Sequence, residues 1–273
     1  MRVLRVFPRK TTMTPDDAFA FVGDPPLWRP EADEVHISCT FSWDIPKALR
    51  LVRAWRQYYA NVLFAGPAIG GNYVGEFTPG LYVRHGITFT SRGCNNACPW
   101  CLVPEWEGKL RLLSVEPGHI IQDNNLLQCQ REHMSRVFEM LKSQPKAAEF
   151  KGGLDSTLVD DWVAGQLQQL KIHEVFLAAD TWGALEPLRE AIGRLSFLKR
   201  RQLRCYVLLG FDKSESISRA RERLEAVWNI GCLPFAQLFQ PSEKEVVYPL
   251  EWRRLQREWD RPAAMFANHP RQP

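Results

Sequence analysis

The chain has 273 residues, enough for one large α/β domain or two modest ones. Hydrophobic residues make up 45% and charged residues 24%, the balance of a folded globular protein, and no run approaches the roughly 20 apolar residues that a membrane span needs. A net charge of +4 and ten tryptophans scattered along the chain form neither a basic tract nor a stacking platform, so composition alone does not point to nucleic acid.

The opening "MRVLRVFPRK" is basic but has no apolar signal-like region, which predicts a cytoplasmic protein. "RVLRVF", "EVHISCT" and "NVLFAG" read as strands, and "IPKALRLVRAWRQYY" between the last two reads as a helix with Asp44 and Pro46 near its start. The following "GPAIGGNYVGEFTPG" lacks both the Walker Lys-Ser/Thr and the G-x-G-x-x-G order, so it reads as loop. Residues 1–85 are thus expected to form a small α/β layer.

Six apolar or β-branched runs follow: "GITFT", "HIIQD", "AEFKGG", "EVFLAAD", "RCYVLLG" and "PFAQLF". Their spacing is that of βα units. Between them, "REHMSRVFEMLKS" places Met134, Val137, Phe138 and Leu141 on one helical face. "SISRARERLEAVWNIG" does the same with Ile217, Ala220, Leu224, Val227 and Trp228, and Gly231 follows as a helix-ending residue. Six units are fewer than the eight of a closed barrel, so residues 86–250 are expected to form an α/β partial (βα)6 TIM-like barrel. Residues 251–273 read as a capping helix and a polar tail.

Seven cysteines without a signal peptide argue against a disulfide framework. Three of them crowd into "TSRGCNNACPWCLVP" as Cys94-x3-Cys98-x2-Cys101, directly after the first of the six strands. Thiolates suit zinc or iron–sulfur clusters. Structural zinc takes four ligands, and His85 or His119 is available as a fourth. A [4Fe–4S] cluster held by three cysteines keeps one iron open for chemistry.

This C-x3-C-x2-C spacing, with Trp100 before the last cysteine and six βα units around it, resembles the radical S-adenosylmethionine (SAM) superfamily. The wording "T-S-R-G-C" is similar to that of its cobalamin-binding branch. No D-x-H-x-x-G motif is present, so the N-terminal layer is expected to be a reduced Rossmann-like remnant or scaffold without corrinoid. The resemblance implies that Cys94, Cys98 and Cys101 ligate a [4Fe–4S] cluster whose open iron binds SAM. Reductive cleavage of SAM would then produce a 5′-deoxyadenosyl radical that abstracts hydrogen from the substrate. It further implies a reductant such as flavodoxin or ferredoxin, and a substrate that is a small molecule, a peptide or a nucleic acid.

The SAM contacts implied by the resemblance fall at successive strand ends: Gln122, Asp123 and Asn124, then Gly153 and Asp155, then Asp180, Gly210, and Phe235 with Gln237. The family's Gly-Gly-Glu stretch is replaced by "QDNN". Cys129 and His133, four residues apart, are expected to share a helical face as a candidate hydrogen or proton donor pair. Glu105 and Glu107 follow the cysteine loop and are placed to shape its mouth. Cys39, Cys205 and Cys232 read as core residues. The reading of a different class is a zinc- or iron–sulfur-stabilised binding or electron-transfer protein without SAM turnover.

Overall fold

The computed structural model describes residues 1–69, 77–241 and 246–269. They divide into two compact units, one ending at Ile87 and the other comprising Thr88–Pro241 and the residues from Val246.

The first unit contains β1 (Val3–Phe7), β2 (Ala20–Val22), β3 (Glu34–Ser38), α1 (Ile45–Trp55) and β4 (Val62–Ala65). The strands form a parallel sheet in the order β2-β1-β3-β4. Ala48, Leu51, Val52 and Trp55 recur at helical spacing along α1 and are buried in one core with Leu4, Val6, Val35 and Ile37. Asp44 precedes α1 but its side chain does not cap it. The carboxylate is held by Arg9, with Nη2 donating to Oδ1 at 2.6 Å. Strand β2 has no counterpart in the sequence reading, because three residues are too few to show an alternation. Part of the glycine-rich stretch read as loop, residues 70–76, lies outside the described residues.

The second unit begins with β5 (Ile87–Thr88), which starts at the boundary, followed by β6 (Ser91–Arg92), α2 (Val103–Trp106), β7 (Arg111–Leu112) and β8 (Ile120–Ile121). It continues through α3 (Arg131–Lys142), β9 (Ala148–Phe150), α4 (Asp161–Gln168), β10 (Ile172–Ala178) and α5 (Leu185–Arg194). The last elements are β11 (Leu203–Leu209), α6 (Ile217–Ile230), β12 (Leu233–Leu238), α7 (Leu250–Trp259) and α8 (Pro262–Asn268).

Six of these strands form one sheet in the strictly sequential order β5-β8-β9-β10-β11-β12. The pairings resolved along it, β8–β9, β9–β10, β10–β11 and β11–β12, are parallel. No pairing joins β5 to β12 among the described residues, so the sheet is an open parallel sheet of the α/β class. Closure requires enough tilted strands to complete a circumference, and six do not bring the two edges together here.

Local sequence sets the ends of the helices. Asp160 caps α4 by accepting from the Val163 N–H at 2.8 Å, and Ser216 caps α6 by accepting from Arg219 N–H at 3.2 Å. Gly231, left-handed at φ 114°, ends α6. The face of α3 read from sequence is buried as expected, with His133 added to it. Alternation on β11 sends Leu203, Cys205, Val207 and Leu209 into the main core. Arg204 and Tyr206 point to the other face. No helix among the described residues is long and apolar enough to cross a membrane.

Candidate functional site

The cysteine loop is an excursion between the first two strands of the open sheet. Its base is the short antiparallel pair β6–β7, in which Ser91 faces Leu112 and Arg92 faces Arg111. The Cys94 N–H donates to the Gly108 carbonyl at 3.1 Å, so the two ends of the loop are stitched together. Gly93 makes this crossing possible: at φ 77°, a Cβ there would lie 2.2 Å from the Lys109 carbonyl oxygen. Between the stitched ends, the Cys101 N–H donates to Cys98 O at 3.0 Å, and the Asn96 N–H points at Cys94 Sγ at 3.4 Å.

All three loop cysteines line one cavity of about 440 Å³. Its other walls come from segments that leave the strands at their C-terminal ends: Asn124 and Asn125 after β8, Gly152 through Thr157 after β9, and Asp180 to Ala184 after β10. Tyr206 of β11 and Trp100 of the loop also line it. The C-terminal edge of a parallel sheet is where α/β proteins place their ligands, because the connecting loops converge there above strand ends that need no covering helix.

Four side chains fix the geometry of this cavity. Asp155 accepts from Thr157 N–H and Oγ1 at 3.1 and 2.6 Å, from Asn96 Nδ2 at 3.0 Å and from Asn125 Nδ2 at 3.2 Å. Burial pushes its carboxyl up, but these hydrogen bonds outweigh burial and hold it below the usual carboxylate range. Asp180 goes the other way: burial pushes it up, only partly countered by the Leu208 N–H at 2.8 Å, by Arg223 and by the Trp100 side chain. The cavity therefore contains one firmly ionised carboxylate and one that holds its proton more readily. Asn125 Oδ1 and Ser156 Oγ are buried in the wall without a partner.

Burial raises the pKa of the Cys98 and Cys101 thiols, and the neighbouring cysteines and Asp180 add to the effect. Three thiols whose negative forms repel one another are a donor set that a soft cation would relieve. Among the described residues, no group of three or more His, Cys, Asp or Glu side chains is already drawn together at metal-ligating separation, and no histidine lines the cavity. The set fits a sulfur-ligated group better than a zinc site completed by histidine. The partnerless Asn125 and Ser156 oxygens fit a ligand that carries hydrogen-bond donors.

Of the residues singled out from sequence, Cys94, Cys98, Cys101, Trp100, Asn124, Gly153, Asp155 and Asp180 meet at this cavity. Gln122, Asp123, Gly210, Phe235 and Gln237 do not line it. Asp123 is 1% exposed and accepts from Thr90 N–H, Thr90 Oγ1 and Ser91 Oγ, each at 2.6 Å. It ties the exit of β8 to the start of the cysteine loop. The close approach at Gly210 is to Tyr248, whose ring would lie 2.6 Å from an added Cβ. Phe235 joins a ring cluster with Phe176 and Tyr206, and Gln237 is exposed.

The expected helical pairing of Cys129 and His133 is corrected. Cys129 and Gln130 are extended at ψ 156° and 150°, so α3 begins only at Arg131 and Cys129 stands outside it. Both residues are buried away from the cavity wall. Burial pushes the Cys129 thiol up to about 11, and burial together with Arg136 holds His133 below its ordinary value.

Sequence reasoning missed Asn96, Asn125, Ser156 and Thr157. Asp155-Ser-Thr157 is a local turn signature, in which a carboxylate accepts from the N–H two residues on, and it was legible. Asn96 and Asn125 carried no such signal, since each finds Asp155 only through the fold.

No family model matches the chain, and no curated protein shows significant sequence similarity to it.

Proposed function

We propose that the cavity holds a [4Fe–4S] cluster and SAM, and that the protein is a radical SAM enzyme. The observation that carries this reading is the convergence of Cys94, Cys98 and Cys101 on one acceptor-rich cavity at the C-terminal edge of a sequentially ordered parallel sheet. Sequential order without a switch point is that of a barrel rather than of a doubly wound sheet, and we read the open sheet as a partial (βα)6 barrel.

The three cysteines would hold the cluster. When bound, the pair supplies one-electron cleavage of SAM to a hydrogen-abstracting species. The chain's own contribution is to bind and orient. Asn125 Oδ1 and Ser156 Oγ offer acceptors to the ammonium and hydroxyl groups of SAM, and Asp155 holds Asn96 and Asn125 in place. Trp100 packs edge-on against Phe211 with centroids 5.3 Å apart and shields one side from water. An external reductant of the flavodoxin or ferredoxin type belongs to this reading.

The test is anaerobic reconstitution followed by incubation with SAM under strong reductant. About four irons and four sulfides per chain are expected, with release of 5′-deoxyadenosine and methionine. Alanine at Cys94, Cys98 or Cys101 singly should abolish cleavage to the same extent as the triple replacement, because the three act as a unit. Cys39→Ala should retain cleavage. Stoichiometric zinc in place of iron, or a reduced cluster that never cleaves SAM, would overturn the reading.

A further inference from the structure

At the base of the cysteine loop, beside the β6–β7 pair and the Cys94–Gly108 bond, one carboxylate joins several segments. Glu107 follows α2, thirteen residues after Cys94 in the numbering. Its Oε1 pairs with Arg92 Nη2, and its Oε2 accepts from the Gly93 N–H at 3.1 Å and from Asn124 Nδ2 at 2.6 Å. Arg92 and Gly93 are the two residues that enter the loop, Glu107 is where it leaves, and Asn124 belongs to the cavity wall after β8. Glu107 thus joins three separate segments through one side chain. Its own carbonyl adds a fourth tie by accepting from Arg111 Nη1 at 2.7 Å. The side chain is 21% exposed and that of Arg92 26%, so the pair is largely withdrawn from solvent.

The rest of the loop has a separate suspension. Asn95 N–H donates to Gln128 Oε1 at 2.8 Å, Gln128 Nε2 donates to Asn96 Oδ1 at 2.8 Å, and Asn96 reaches Asp155. These bonds hold the tip, the last of them to the Asp155 carboxylate. Glu107 links the entrance, the exit and the wall at the base, with charge-assisted bonds that are about twice as strong as neutral ones.

We propose that Glu107 is the positioning residue of the thiol loop, locking it to the cavity wall through Asn124 so that the three thiols are presented to the cavity before anything binds them. That the loop is held in order to receive a cluster rests on the function proposed above; the closure itself does not. Glu107 also lies close enough to Cys101 to oppose the formation of its thiolate. The locking carboxylate is therefore part of the electrostatic environment of whatever the thiols hold.

The experiment uses full-length protein with metals removed under anaerobic conditions. The reaction of Cys94, Cys98 and Cys101 with an aromatic disulfide reagent is followed by peptide mapping. Asn124→Ala should raise the labelling rate of the three cysteines about tenfold, equivalent to roughly 1.4 kcal/mol for the one bond it removes, and Glu107→Ala, which removes three, should raise it at least as much. The decisive comparison is of N124D, which sets two carboxylates against each other, with E107Q/N124D, in which donor and acceptor exchange sides. The exchanged pair should label at least severalfold more slowly than N124D alone, although it lacks the carboxylate that pairs with Arg92. Asn124→Ala and N124D keep the test usable if Glu107→Ala, which strands Arg92, does not fold.

Iron and sulfide content after reconstitution separates the two ideas. Wild-type protein that binds no iron but shows the labelling pattern refutes the proposed function and leaves the lock standing. Wild-type protein that binds four irons, with Glu107→Ala and Asn124→Ala labelled at the wild-type rate, refutes the lock and leaves the function standing. An exchanged pair that labels as fast as N124D alone also overturns the lock.

Discussion

Replacing Asp123 with Ala removes the buried tie beneath the cysteine loop. Its carboxylate receives three hydrogen bonds of 2.6 Å, from the Thr90 N–H, Thr90 Oγ1 and Ser91 Oγ. A hydrogen bond to a charged acceptor contributes about 1.5–3 kcal/mol, so the gross loss is bounded at roughly 4.5–9 kcal/mol. Burial works against this gain, since it is the largest influence on Asp123 and raises its pKa despite the three donors. Part of the gross figure therefore offsets the cost of keeping a charge from water. A net loss of about 3–4 kcal/mol is expected once that cost is set against the gross figure. For a unit of this size it lowers Tm by roughly 6–16 °C.

The pH dependence gives an independent handle on the same residue. A carboxyl whose folded pKa lies above its unfolded value binds its proton more tightly when folded. Its contribution to stability is complete below the unfolded value of about 4 and is lost as pH rises through the folded value. Thermal unfolding of wild type should carry this falling component as pH rises above about 4. The D123N variant, which cannot ionise, should lack it. A D123A melting point within about 2 °C of wild type, or a D123N pH profile that superimposes on wild type, refutes the reasoning.

Other consequences concern the packing around the site. Arg223 is 3% exposed, donates to Ala179 O at 3.1 Å and Leu208 O at 2.7 Å, and pairs with Glu215 at 2.9 Å. Arg223→Ala should cost about 3–5 kcal/mol in urea unfolding, and the R223M/E215L double variant should cost less than the single one, because it leaves no buried charge unpaired. Gly152→Ala should unfold or empty the cavity edge, as its Cβ would fall 1.9 Å from Asp123 O, while Gly165→Ala in the open interior of α4 should stabilise by about 1 kcal/mol in the same assay. Asp155, held below its usual range, stabilises the cavity above its unfolded pKa, and that contribution is lost as pH falls through its folded value. Asp155→Asn should therefore flatten the acid limb of the unfolding profile, monitored by tryptophan fluorescence.

The cysteine spacing, the six strand runs and the amphipathic faces of α3 and α6 were all readable from residues close in sequence. Apolar period and turn chemistry are local quantities, so burial at Met134, Val137, Phe138 and Leu141 followed from spacing alone. The family resemblance pointed to the segments after β8, β9 and β10, which line the cavity. It did not say which side chain in each segment would face inward. Asp123 and Asn124 are neighbours, yet one is consumed beneath the loop and the other lines the cavity. That division depends on which face of the chain meets Thr90 and Ser91, thirty-odd residues away. Gly210 shows the same limit: its freedom of conformation was legible, but its neighbour, Tyr248, arrives from beyond β12.

By itself, the sequence determined the α/β class, the position of the thiol loop after the first strand of the open sheet, and Gly231 as the end of α6, because propensity, periodicity and capping act over a few residues. Only the tertiary structure decided that Asp123 ties β8 to the start of the loop, that Cys129 stands outside α3, that Asp155 is the hub joining Asn96, Asn125 and Thr157, and that Glu107 closes the loop against Asn124. The physical reason is common to all four. Each depends on hydrogen bonds or strand edges brought together from distant parts of the chain. The energy of such contacts exists only after the entropy of closing the intervening loops has been overcome, and no local pattern records which pairs will meet.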